Sequence, residues 1–94
     1  MQVPKEFDYL TQCFWDGSLE RARSLDEWVS KAVRLLDARK KAVVKPFIDE
    51  VLSGNLPDHE LQRIWNEGGA RYSFPDTNEL RRVLSMIRDK LAAD

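Results

Sequence analysis

Between Ser24 and Gly54 the apolar positions fall into two stripes. The first is Leu25, Trp28, Val29, Ala32, Val33 and Leu36. Apolar residues recurring three and four apart mark one face of an α-helix, and no strand has that period. The spacing predicts a helix over about 25–36. The second stripe, Val44, Phe47, Ile48, Val51 and Leu52, predicts another over about 38–53. The competing parse is one helix from Leu25 to about Val44, broken at Pro46; it would need apolar residues near positions 39, 40 and 43, and Arg39 and Lys40 stand at the first two. Start signals agree with two helices. Ser24-x-x-Glu27 is a capping box, and Asp37 is a good N-cap residue. Pro46 then falls inside the second helix, opposite its apolar stripe, where the hydrogen bond that proline removes is exposed to water.

The flanking segments carry three more helical patterns. Phe7, Leu10 and Phe14 predict a helix over about 5–15, with Pro4 suited to its first turn and Gly17 to a left-handed end. Residues 16–23 read as a polar connection. Leu61, Ile64 and Trp65 predict a short helix over about 57–66, stopped by Gly68-Gly69, and Gly54 is the expected left-handed residue closing the helix before it. Arg71 to Pro75 reads as an aromatic loop, with a short extended piece but no evident partner strand. After the start signal Asp76-x-x-Glu79, the stripe Leu80, Val83, Leu84, Ile87 and Leu91 predicts a last helix over about 77–92. The expected fold is all-α: one domain spanning 1–94, a compact bundle of about five helices.

Charge adds an asymmetry that the net value of −1 hides. From Glu20 to Lys45 there are eight basic and four acidic side chains, and from Pro46 to Glu79 two basic and seven acidic. Segregation of this kind steers a charged partner. The overall balance does not fit a dedicated nucleic-acid binder, which is usually basic. A single cysteine, Cys13, forms no internal disulfide and fits a reducing compartment. The N-terminus shows no signal-peptide pattern, and no apolar run approaches the roughly 20 residues that cross a bilayer. A cytoplasmic location with no membrane partner is expected.

Catalytic and metal-binding patterns are missing. His59 is the only histidine and sits between two acids, so no Cys/His set for zinc exists. Cys13 lies beside the apolar face of the first helix with no histidine near it in sequence, as an inert thiol does. Asp49-Glu50 and Asp58/Glu60 supply paired carboxylates but no sign of the cleft that separates their pKa values. Gly68-Gly69 follows a helix and lacks the lysine and hydroxyl of a phosphate-binding loop. The last two helices carry Arg81, Arg82 and Arg88, yet the segment between them is longer than the turn of a helix-turn-helix. An enzyme, a cofactor and a metal are therefore not expected. Aromatics stand out instead. Trp28 and Trp65 fit core stripes, whereas Trp15, Tyr72 and Phe74 lie in or beside loops, either packed beneath them or offered to a partner.

The order of these signals resembles a known family. An N-terminal helix ends in Trp15-Asp16; Ser24-x-x-Glu27 opens the next; an Asp37-capped helix ends Val51-Leu52. Leu56-Pro57-Asp58-x-Glu60-Leu61 follows, then a glycine break into Tyr72-x-x-Pro75 and the Leu80–Leu91 stripe. This pattern is similar to the small α-helical immunity proteins of bacterial contact-dependent growth inhibition systems, the CdiI type. The resemblance implies a non-enzymatic protein that binds and neutralises a cognate toxin domain, often a nuclease, in the cytosol. Trp15, Asp16, Tyr72 and Phe74 lie in the stretches that differ most from the family pattern and are expected at the partner. The charge asymmetry adds Asp49, Glu50, Asp58, Glu60 and Glu67 as an acidic face suited to a basic toxin. The competing expectation is a helical interaction or regulatory domain with no toxin partner.

Overall fold

The computed structural model describes residues 2–93, apart from the side chain of Asp16. Six helices follow one another: α1 (Lys5–Gln12), α2 (Asp16–Arg21), α3 (Leu25–Arg34), α4 (Ala38–Ser53), α5 (Asp58–Glu67) and α6 (Thr77–Ala93). The fold is all-α, as the periodicity requires. The long α6 is the central element and packs against α3, α4 and α5, while α1 bridges α4 and α5 and α2 sits on α3. All five residues of the α6 stripe are buried, together with Trp28, Val29, Ala32, Val33 and Leu36 and with Val44, Phe47, Ile48 and Val51. Burying such side chains contributes about 1.5–3 kcal/mol each.

The start signals act through local hydrogen bonds. Ser24 Oγ accepts from the Glu27 amide at 3.1 Å. The return arm of the expected box is not made, because the Glu27 carboxylate pairs with Lys31 at 3.3 Å. Asp37 Oδ1 accepts from the Lys40 amide at 2.8 Å. That bond, with the Lys40 ammonium behind it, lowers the Asp37 pKa below the usual carboxylate range. Pro46 lies within one uninterrupted α4, on its exposed side.

Four expectations are corrected. First, α1 ends at Gln12 rather than near residue 15, because Trp15 turns to extended backbone (φ −151°, ψ 159°) and forms a parallel bridge with Arg71. That bridge is the partner of the extended piece in the 71–75 loop. Second, residues 16–21 are helical rather than a connection. Ser18 makes the difference: its hydroxyl donates to the Trp15 carbonyl at 2.7 Å and accepts from the Trp15 amide at 3.3 Å. It also accepts from Trp28 Nε1 at 2.7 Å, so its single donor and two acceptor sites are all used. Third, Gly17 is not a left-handed terminus but an α2 residue lying under the Trp15 indole; a Cβ there would come within 2.0 Å of the ring. Fourth, the left-handed residue after α4 is Asn55 (φ 53°), not Gly54, an exchange that asparagine tolerates better than most residues.

Candidate functional site

The aromatics divide into two populations. Phe7, Phe14, Trp28, Phe47, Trp65, Tyr72 and Phe74 form one linked cluster, with neighbouring ring centroids 4.9 to 6.2 Å apart. Both indole N–H groups in it are satisfied, Trp28 by Ser18 and Trp65 by the Tyr72 carbonyl at 2.8 Å. Gln62 Nε2 holds the following loop by donating to the Phe74 carbonyl at 2.9 Å and to Thr77 Oγ1 at 3.1 Å. Phe74, expected at a partner, is buried and belongs to this core. Tyr72 is half-buried, with its ring edge-on to Trp28.

The second population is exposed. Among the described residues, Tyr9 (42% exposed), Trp15 (40%) and Leu35 (58%) are the large apolar side chains left at the surface. They come from α1, the α1–α2 junction and the C-terminal end of α3, and they converge. Trp15, Leu35 and Cys13 line two adjoining hollows. Tyr9, Gln12 and Arg71 complete one, and Ser18, Arg21, Trp28, Lys31 and Ala32 complete the other. Scattered exposed apolar residues need no explanation, but three side by side form a patch.

The patch has a cationic surround. The Arg21 guanidinium stands 6.0 Å from the Trp15 ring centroid and the Lys40 ammonium 5.0 Å from that of Tyr9. Both distances allow cation–π attraction. Lys31 is paired with Glu27, and Lys40 with Asp37 at 3.2 Å. Arg21 and Arg71 have no carboxylate partner among the described residues. Cys13 lies half-buried in both walls, its thiol donating to the Tyr9 carbonyl at 3.4 Å. Burial pushes that thiol pKa up.

The residues expected to form an acidic face are partly ion-paired within the fold. Asp58 pairs with Arg81 of α6 at 3.1 Å. Glu60 and Glu67 share Arg63, which donates from Nε to Glu60 at 3.1 Å and from Nη1 to Glu67 at 2.8 Å. Those bonds lower the Glu60 pKa and raise that of Arg63. Two residues along a helix turn through about 200°, so Asp58 and Glu60 point to opposite sides of α5. Reversing both charges would break ion pairs as well as alter the surface. Asp49 and Glu50 are exposed with no cationic partner among the described residues. The side chain of Asp16 lies outside the described residues.

Of the residues expected at a partner, the bridge between Trp15 and Arg71 brings the Trp15 and Tyr72 loops together. Tyr9, Leu35, Arg21 and Arg71 were missed. One signal was available: Tyr9 and Leu35 are large apolar residues that fall off the stripes of their own helices. Among the described residues no cluster of three or more His, Cys, Asp or Glu side chains suits a metal ion, and no helix is long and apolar enough to cross a membrane. No family model, curated protein or solved structure matches the chain.

Proposed function

We propose that this protein acts by binding another protein, and that its partner is the toxin domain of a contact-dependent growth inhibition system, which it neutralises in the cytosol. The observation that carries the binding reading is the exposed Tyr9–Trp15–Leu35 patch on a frame of packed helices. No buried side-chain nitrogen or oxygen among the described residues lacks a hydrogen bond, as expected of a well-packed frame that presents the patch. An exposed aromatic anchor beside arginines has the composition of interface hot spots. The identity of the partner rests on the resemblance in helix order and spacing to CdiI-type immunity proteins. Neutralisation follows from stoichiometric occupation of the toxin and needs no reaction.

This reading expects a toxin fragment to be encoded beside the gene, and the test is co-expression with it. Cells carrying both are expected to survive where the toxin alone kills, and the two chains are expected to co-purify in equimolar amounts. Survival no better than with the toxin alone would sink the toxin reading. A regulatory partner would then remain the use for the patch.

A further inference from the structure

The charge around the patch specifies the chemistry of what covers it. We propose that the Tyr9–Trp15–Leu35 surface docks an acidic protein surface, one that sets an apolar side chain into the hollows flanking Trp15 and ranges carboxylates against Arg21 and Arg71. This deepens the proposed function, resting on it only for the identity of the partner.

Three observations lead there. Among the described residues, the side chains lining the two hollows include Arg21, Lys31 and Arg71 and no carboxylate. Two carboxylates beside the patch, Glu27 and Asp37, are already engaged by Lys31 and Lys40, and neither Arg21 nor Arg71 is paired with any carboxylate among the described residues. Arg21 and Arg71 are thus the cations with charge to offer, and arginine's planar fork suits a carboxylate in two-point contact. Backbone dipoles do not reverse this. The negative ends of α1 and α3 are each followed at once by the positive end of the next helix, α2 and α4, and opposed ends offset one another. The hollows are small, about 230 and 320 Å³, at or below the lower end of the roughly 300–1,000 Å³ of small-molecule sites. They suit single side chains of a protein partner. A phosphate-binding cleft on a nuclease is itself cationic and would be repelled, so contact with such a toxin falls outside its nucleic-acid cleft.

The test uses the full chain, isotope-labelled, and three probes. One is a synthetic amphipathic peptide with Leu and Trp interleaved among Asp and Glu. The second is the same peptide with lysine at each acidic position, and the third is a 12-nucleotide oligothymidine. The acidic peptide should give saturable amide shifts at Tyr9, Cys13, Trp15, Leu35 and Arg71. Its affinity should be at least about tenfold above that of the lysine peptide and should fall with added salt. Arg21→Glu with Arg71→Glu should weaken it at least about tenfold at unchanged melting temperature, both side chains being exposed. Equal affinity for the two peptides, saturable shifts elsewhere or none, or tighter binding of the oligothymidine to the patch would each overturn the proposal. So would a toxin complex that forms with undiminished affinity after the double charge reversal. If wild-type protein fails to bind the toxin, the function reading falls while the peptide comparison still decides this one.

Discussion

Trp65 and Trp15 are the same residue type put to opposite uses. Trp65 is 1% exposed, its N–H is taken by a backbone carbonyl, and it touches Phe7, Phe14 and Phe74. Trp15 is 40% exposed, its indole N–H has no partner among the described residues, and its ring lies on a glycine beside an arginine. Removing water from the core ring was settled by folding. The surface ring still has apolar area that a partner could cover. On the proposed function, stability and binding fall to separate aromatic sets, so substitutions should separate them.

The largest effect is expected at the core ring. Trp65→Ala should cost about 3–5 kcal/mol, the range for deleting a buried aromatic, which is a large part of the roughly 5–15 kcal/mol that holds a domain folded. Trp15→Ala should stay within about 0.5 kcal/mol of wild type, as exposed substitutions do. Urea denaturation followed by circular dichroism measures both. Similar losses for the two would erase the distinction between the regions.

Ser18 joins them, and its removal comes next. Ser18→Ala strips the partner from Trp28 Nε1 and unties Trp15 from α2 at the same time. Leaving a buried donor unpaired costs about 1–3 kcal/mol. The loss should be accompanied by a change in the near-ultraviolet circular dichroism of the tryptophans. A stable Ser18→Ala protein with an unaltered spectrum would mean that the two regions are not coupled through this hydroxyl.

Much of the core could be read from the chain because helix stripes and caps are local. Trp28, Val29, Val33, Val44, Ile48, Leu80, Val83 and Ile87 were all placed by spacing, and Ser24 and Asp37 by their side-chain chemistry. The second helix escaped because it has one apolar residue, Leu19, and rests on bonds from Ser18 to a tryptophan ten positions away. The patch escaped for a related reason. Its residues come from positions 9, 13, 15, 35 and 71, and no local rule says that such leftovers meet. Charge counting along the chain also misses a contact from outside the acidic half, since Asp58 is paired with Arg81, which lies beyond the counted segment. The same long-range logic hides Glu6, buried in α1 and paired with Arg39 at 3.1 Å.

Gly17→Ala tests the surface set without touching the core. A methyl there collides with the Trp15 ring, which must shift to admit it, while alanine favours the helix by roughly 0.5–1 kcal/mol over glycine. Stability should therefore hold or rise by up to about 1 kcal/mol. The Trp15 indole N–H resonance should shift and that of Trp65 should stay. Partner affinity should drop although no charge has changed. An unmoved Trp15 resonance would show that the glycine does not seat the ring.

The smallest effect concerns Cys13 and is a difference in rate. Burial raises its thiol pKa, because the thiolate loses hydration between α1 and Leu35. Below the ordinary thiol pKa both folded and unfolded chains are protonated there, and stability is unaffected. Between the ordinary and the raised value only the unfolded chain ionises, so stability declines as pH rises through that window. At neutral pH the folded thiol should alkylate with iodoacetamide more slowly than the same thiol in urea, and its rate–pH curve should be displaced to higher pH. A curve displaced to lower pH would mean that Arg21, Arg71 or Lys40 stabilises the thiolate more than burial opposes it. The cationic surround would then reach deeper into the patch than the rim. Filling the hollows with an acidic peptide should slow the reaction further, since Cys13 lines both of them.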